Sequence, residues 1–382
     1  MRIVADENMP GVREACESLC EPKGEVVTLP GREIGPEDVR AADCLLVRSV
    51  TPVSAALLEG SAVRFVGSAT IGVDHVDLPW LHARGIDFQS APGCNATAAA
   101  QWVLRVVLEL LQRRGLDTCD MVVGIVGLGN VGSRVKALFE ALGVRCLVND
   151  PPRAMEEGDD GYVELEELLQ RSDVITVHVP LERRNRWPTF HLIDERFLGL
   201  CRNGALVINA SRGAVADTSA LLRHAWRTEM VVDTWEGEPH VHLGLLDQVS
   251  LASPHVAGYS LEGRYRGTET VYRALCAHLG REATWSPWSS LPAVEPVDVT
   301  AAAREGGACA AVLAAARAVS DPWADHRRMM GLRQLTIAAQ GAYFDGLRRQ
   351  YPLRREFEYV PVCRTGVEEA DAALAAVGFP IH

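Results

Sequence analysis

No apolar run in the 382 residues is long enough to cross a bilayer as a helix, which takes about 20 predominantly apolar residues. The opening MRIVADENM has no cationic stretch leading into an apolar one, so no export signal is read there and a cytoplasmic location is expected. Basic tracts are missing too: 38 Lys and Arg face 50 Asp and Glu, a formal charge of −12. That balance opposes non-specific binding to nucleic acid or anionic membranes, although a local Arg cluster could still hold a small anion. The ten cysteines form neither CxxC pairs nor a compact framework, and no HExxH motif or clustered metal-ligand spacing is present. A disulfide scaffold and a structural zinc are therefore not expected, and metal catalysis has little support. The thiols read as buried groups in a reducing compartment. What remains, at 48% hydrophobic and 23% charged residues, is the composition of a globular protein with enough chain for more than one core.

Within that composition one stretch organises the chain. Residues 121–150 read MVVGIVGLGNVGSRVKALFEALGVRCLVND. An apolar run is followed by Gly127, Gly129 and Gly132, then by apolar residues at helical spacing, then by a second short run that ends in Asp150. This is the strand, glycine turn, helix and strand of a dinucleotide-binding unit. Gly127 permits the tight turn, Gly129 lets the backbone approach a pyrophosphate at the helix N-terminus, and Gly132 lets helix and sheet pack closely. Leu128, Asn130 and Val131 complete the loop. Asp150, at the tip of the next strand, suits a ribose diol and would repel a 2′-phosphate, so the expected cofactor is NAD rather than NADP.

Ahead of this unit, strand-like runs at 2–6, 25–29, 44–47 and 63–67 alternate with short helical patterns. Such alternation implies a parallel sheet whose ligands sit beyond the C-terminal strand ends. Ser49 and Thr70 fall there, with Arg48 as a candidate charge partner for a phosphate or carboxylate. Long helices near 98–113 and 261–279 are expected to cross between this first domain and the NAD domain, so that a cleft could close over the reacting atoms. Later strands of the NAD domain are expected at 174–178 and 205–209, and His178 and His191 read as structural. Around 285–296 the composition turns rich in Pro and Gly. Beyond it the patterns give helices at 308–320 and 339–349, an alternating strand at 354–363, and helix and turn at 367–378. This small mixed domain reads as an assembly element, and Arg333, Arg348 and Arg349 are candidates to reach a partner's cleft and touch a phosphate.

Three constellations lie near predicted strand ends. INASRGAVAD at 208–217 puts Arg212 in a glycine-flanked turn, VVDTWEGEP at 231–239 puts Asp233 at a strand end and Glu238 in the turn beyond, and LASPHVAGYS at 251–260 puts His255 just before a helix. On neighbouring strands these loops would open on one crevice beside the dinucleotide. Imidazole has the right pKa to shuttle a proton. A carboxylate on its other nitrogen fixes the tautomer and stabilises the imidazolium. A guanidinium fork suits a substrate carboxylate and can polarise the adjacent oxygen. The expected catalytic set is Arg212, Glu238 and His255.

The motifs GLGNVG, NASRGAV, DTWEGEP and SPHVAGYSLEGRYRG together resemble the D-isomer-specific 2-hydroxyacid dehydrogenase family. RSVTPV, GSATIGVDHVD, APGCNA, NDPPRA and the C-terminal segment extend the resemblance over essentially the whole chain. It implies an α/β protein with a Rossmann-like doubly wound NAD domain at 98–256, a flavodoxin-like α/β substrate or lid domain at 1–97 and 257–285, and a small α+β dimerisation domain at 286–382. It implies NAD-dependent oxidation of a phosphorylated 2-hydroxy acid by a cytoplasmic homodimer, with no metal, nucleic acid or membrane involved. Val179, Ala210, Ser211, Arg212, Asp233 and Gly258 would join the glycine loop and Asp150 around NAD, while Arg48, Ser49, Thr70 and Tyr259 would contact substrate. Two features depart from the family pattern: Thr234 stands where a hydrophobic residue is usual, and 222–233 lacks the usual glycine-containing turn. Two other readings stay open, a dehydrogenase of another D-2-hydroxy acid such as 3-phosphoglycerate and a non-catalytic NADH-sensing interaction protein.

Overall fold

The apolar runs assemble as two parallel sheets in a computed structural model that describes residues 1–20, 24–116 and 121–382. Cys119 lies outside the described residues. The chain divides into two compact units, Met1–Asn95 with Ser260–Ala293, and Ala96–Tyr259 with Val294–His382.

In the first unit the strands β1 (Arg2–Asp6), β2 (Glu25–Leu29), β3 (Cys44–Val47), β4 (Phe65–Ser68) and β5 (Asp87–Ser90) pair in the order β2-β1-β3-β4-β5. Successive side chains of a strand point to opposite faces, and both faces of this sheet are covered. Ile3 and Ala5 of β1 join Leu46 and Phe65 beneath the helices Val12–Cys20 and Leu261–His278, whose Cys16, Val271 and Tyr272 complete that layer. Val4, Leu45, Val47 and Val66 face the other way, onto Val39, Val53, Leu58 and Leu81. The returning helix starts cleanly because the Ser260 hydroxyl accepts a bond from the Gly263 N–H at 2.9 Å, satisfying one of the donors a helix start leaves open.

In the second unit β6 (Val122–Val126), β7 (Arg145–Asn149), β8 (Val174–Val177), β9 (Leu206–Asn209), β10 (Glu229–Val232) and β11 (Leu251–Ala252) pair in the order β11-β10-β9-β8-β6-β7. The chain leaves β6 for β7 on one side and then crosses to β8 on the other, which makes the C-terminal end of β6 a topological switch point where ligands of such sheets bind. The helices Ala96–Arg114 and Asn130–Ala141 cover one face with Trp102, Val106, Val135 and Phe139, and Leu168, Phe197, Leu198 and Leu221 cover the other. Each fully buried side chain of this kind contributes about 1.5–3 kcal/mol through removal from water.

The C-terminal segment adds to both of these cores. Ala311, Val312 and Ala316 of the helix Thr300–Val319 and Leu374 of the helix Glu368–Ala376 lie in the first layer, while Met329, Leu332 and Phe344 lie in the second. The helix expected from 308 starts earlier, at Thr300, and bends at Gly307, whose φ of 68° interrupts the regular turn. Residues 354–363, expected as a strand, do not form one: Phe357–Tyr359 is a short 3-10 turn, and single-residue bridges join Val362 to Val297 and to Ile381. Phe357 turns inward to stack on Phe379 at 4.3 Å, and among the described residues no neighbouring strand continues a ladder there. Among the same residues no helix is long and apolar enough to cross a membrane.

Candidate active site

At the end of β6 the backbone turns through Gly127 at a φ of 90°, a conformation open to glycine at no steric cost. The Gly127 N–H donates to the carbonyl of Asn149 at 2.8 Å, which ties the turn to β7. A Cβ on Gly132 would overlap the Gly127 carbonyl oxygen, whereas one on Gly129 would meet nothing within 4 Å. The loop is therefore closed towards the sheet and open at Gly129, at the N-terminus of the helix Asn130–Ala141. This geometry fits a dinucleotide pyrophosphate. Asp150 also braces the loop from within, since one carboxylate oxygen accepts the Leu128 N–H at 2.7 Å and the other caps the next helix through the Arg153 N–H at 3.1 Å. Val179 follows β8 beside this turn, where a Cβ on Gly127 would touch it. His178 is paired with the Thr176 hydroxyl at 2.8 Å, and burial pushes its pKa down to about 3. It is a neutral, structural histidine.

Arg212, Glu238 and His255 leave the C-terminal ends of the adjacent strands β9, β10 and β11. Asn209 shapes the first loop: its side-chain oxygen accepts the Ser211 hydroxyl at 2.8 Å and its amide donates to the Arg212 carbonyl at 3.0 Å. Ala210 and Ser211 thus sit in a turn braced from within, with Arg212 in extended conformation at its exit. A Cβ on Gly213 would overlap the Trp235 carbonyl oxygen, so the Arg212 turn lies directly on the loop that carries Glu238. The sequence marked Gly213 only as a flanking glycine, because what it meets is the backbone of another loop, brought close only by folding.

The Glu238 and His255 side chains meet. A carboxylate oxygen of Glu238 lies 2.5 Å from Nδ1 of His255, and its other oxygen accepts the Trp235 N–H at 3.1 Å. A neutral imidazole bonded in this way carries its proton on Nδ1 and presents Nε2 as the acceptor. His255 has a φ of 58°, uncommon for a residue with a side chain, and both side chains keep about a quarter of their surface exposed (29% and 25%). Asp233 is 1% exposed and organises the loop that follows. Its carboxylate accepts the Ser253 hydroxyl at 2.6 Å and the N–H groups of Val256 at 2.7 Å and Ala257 at 3.1 Å. Its carbonyl takes the His255 N–H at 2.8 Å. Thr234 is buried beside it, with no partner for its hydroxyl among the described residues.

Tyr259, just beyond Gly258, meets the C-terminal segment of its own chain. The Tyr351 ring stands edge-on to it at 5.8 Å, and the Arg348 guanidinium lies over it, also at 5.8 Å. Arg348 also bears on Glu238, helping to hold its carboxyl down. Of the arginines expected at a partner's cleft, Arg348 is thus beside its own chain's site, while Arg333 pairs with Asp247 at 3.2 Å. Nearby, Nε2 of His191 lies 2.6 Å from Glu236, whose other oxygen accepts the Thr218 N–H at 3.1 Å. With Asp217 these atoms lie within 4.8 Å of one another, and the Asp217 carboxylate accepts the Ser219 N–H at 2.9 Å.

In the first unit, Arg48 and Ser49 follow β3 and Thr70 follows β4. The Thr70 hydroxyl lies 2.8 Å from that of Ser68, which also meets Nε2 of His75 at 3.0 Å. Ser68 and His75 escaped the sequence reading, since their contact depends on how the 70–75 loop folds back. Thr51 closes the turn beyond Arg48 by donating to the Gly31 carbonyl at 2.7 Å.

Known proteins resemble this chain in sequence and fold. Residues 94–257 match the model of the D-isomer specific 2-hydroxyacid dehydrogenase NAD-binding domain. The chain is 46% identical over 382 residues to a protein of Pseudomonas syringae pv. syringae named erythronate-4-phosphate dehydrogenase, covering 98% of each chain. The solved structure of a Thermus thermophilus protein superposes with a TM-score of 0.62 at 27% identity, over 74% of this chain and 98% of that one. The NAD-bound 3-phosphoglycerate dehydrogenase of Entamoeba histolytica shares the fold with a TM-score of 0.62 at 23% identity, over 73% of this chain and 95% of its own. The chain belongs to the erythronate-4-phosphate dehydrogenases within the D-isomer-specific 2-hydroxyacid dehydrogenase family, and it is an NAD-dependent oxidoreductase acting on a hydroxy acid.

Proposed function

We propose that this chain oxidises 4-phospho-D-erythronate to 3-hydroxy-2-oxo-4-phosphooxybutanoate in pyridoxal 5′-phosphate (vitamin B6) biosynthesis, with His255 as the acid/base. The observation that carries the reading is the 2.5 Å Glu238–His255 pair at the same C-terminal end of the parallel strands as the glycine loop. NAD, when bound, supplies the acceptor for the hydride at C2. Gly127, Leu128, Gly129, Asn130, Val131 and Gly132 hold its pyrophosphate and Asp150 its ribose, with Val179, Ala210, Ser211, Arg212, Asp233 and Gly258 lining the remainder. Arg212 pairs with the substrate carboxylate through its planar fork. Nε2 of neutral His255 takes the proton of the 2-hydroxyl, and Glu238 stabilises the imidazolium that results. Arg48, Ser49, Thr70 and Tyr259 contact the substrate, the first-unit loops at its phosphate.

The same reading assigns residues 1–97 and 257–285 to a substrate domain, 98–256 to an NAD domain, and 286–382 to a C-terminal dimerisation domain of a cytoplasmic homodimer. The test is a mass-resolved turnover assay on purified protein with 4-phospho-D-erythronate and NAD, run with and without an added 2-oxo acid to reoxidise retained NADH. Formation of the 2-oxo phosphosugar acid in either run is expected. Its absence from both, with 3-phosphoglycerate or another 2-hydroxy acid turned over instead, would move the assignment to that acid.

A further inference from the structure

We infer that Arg354 is a positioning residue for His255, so that the last part of the chain completes the active site from behind. The inference rests on the acid/base role proposed for His255. Arg354 is only 5% exposed. Its guanidinium donates to the carbonyls of Ala257 at 2.5 Å and Val256 at 3.4 Å, and to that of Ala98 at 3.0 Å in the first turn of the helix Ala96–Arg114. Val256 and Ala257 are the two residues immediately after His255, and their N–H groups are the ones that Asp233 accepts, at 2.7 and 3.1 Å. This dipeptide is therefore held by an anion on its N–H side and by a cation on its C=O side. Each charge polarises the peptides in the sense that strengthens the other's bonds.

The grip matters because His255 sits at a φ of 58°. A residue with a side chain stays in such a region only where the surroundings over-determine it, at a cost of about 1–3 kcal/mol. Left-handed backbone at this position aims the ring so that Nδ1 reaches Glu238. The segment that carries Arg354 braces the next residues as well. Tyr351 donates its hydroxyl to Asp325 at 3.1 Å and sets its ring edge-on against Tyr259. Further up the same segment, Gly341 packs close to Pro239 and His240, where an added Cβ would come within 3.4 Å of the Pro239 ring. One stretch of chain thus backs both the Glu238 turn and the His255 loop.

The experiment uses the full chain with Arg354→Gln, which keeps a donor without the charge, Arg354→Lys, and Arg354→Met as the full removal. Displacing a catalytic group by about 1 Å can cost on the order of a hundredfold in rate. Arg354→Met is expected to lower kcat by roughly 30- to 100-fold, with NADH affinity, read by fluorescence, within about threefold of wild type, and with partial rescue of kcat by millimolar guanidinium. In a His255→Asn background the same substitution should cost almost nothing further, because a residue that acts through another has no separate effect once that one is gone. A substrate-free readout separates this inference from the assignment of the reaction: the downfield proton resonance of the His255 Nδ1–H bonded to Glu238 should be present in wild type and shifted or broadened in Arg354→Gln. Equal losses in both His255 backgrounds, or an unmoved resonance in folded Arg354→Gln, would overturn it. Absence of turnover on 4-phospho-D-erythronate with the resonance moved would sink the substrate assignment alone.

Discussion

Burial raises the Glu238 carboxyl, but the charge and hydrogen bond of His255, the Trp235 N–H and the positive charge of Arg348 outweigh it, and the net shift is downward. A carboxylate held below its unfolded value contributes stability above that value and loses it as pH falls through the lowered one. The pair should therefore survive into mildly acidic solution. Glu238→Gln keeps a side chain of the same shape and removes the charge, so kcat at neutral pH is expected to fall about a hundredfold with NADH affinity retained. Steady-state kinetics at wild-type rate would take Glu238 out of the mechanism. Thr234 makes the opposite kind of case, since its buried hydroxyl has no partner among the described residues. Thr234→Val should raise stability by up to about 1 kcal/mol, seen as a higher urea midpoint, and a lower midpoint would reveal a partner for that hydroxyl. The position of Arg212, Glu238 and His255 beyond adjacent strand ends was legible in the sequence because charged side chains there stand out against apolar runs. Asn209 and Arg354 were not, because what they bind is backbone brought close only by folding.

Elements were legible where one feature repeats over several residues. The strand, glycine turn and helix around Gly127 could be read because each part announces its own geometry. A strand end was expected before His255, but not the length of the two-residue β11, since so short a run has no period to detect. Residues 354–363 misled because alternation alone reads as a strand, whereas a strand also needs a neighbour to pair with. The contact between the Arg212 turn and the Glu238 loop is the element-scale fact with the clearest consequence. Gly213→Ala would drive a methyl group into the Trp235 carbonyl, forcing the two loops apart. A loss of kcat/KM of at least about tenfold is expected, from misplacement of catalytic groups, while NADH still binds to the intact Gly127 loop. Fluorescence titration and kinetics on one preparation check this, and normal kinetics would mean that the loops can yield without harm.

The whole molecule is two discontinuous units, each closed by a segment that returns after the other has been threaded. Within the second unit the alanine-rich helix Thr300–Val319 was legible as a helix, but not its burial against the NAD sheet, because alanine on every side leaves no face marked as inward. Asp325 contributes to the pH response of this unit. It is 3% exposed, and burial pushes its pKa to about 6 even though Tyr351, Arg328 and Arg354 favour the anion. The folded state then holds a proton that the unfolded chain releases near pH 4, so this group's contribution to stability falls as pH rises from about 4 to 6 and is level above. Relative to wild type, Asp325→Asn should gain up to about 3 kcal/mol over that interval. Urea unfolding of both proteins across it measures the gain, and a pH-independent difference would show that the carboxyl is ionised throughout. The hold of Arg354 on the peptides after His255 also sets an order of events at the ribosome. A chain grows at about 5–20 residues per second, and the glycine loop and every proposed catalytic side chain emerge well before Arg354 does. On the role proposed for Arg354, a nascent chain halted before that residue would carry every proposed catalytic side chain with its imidazole unseated, so turnover would wait for the end of synthesis.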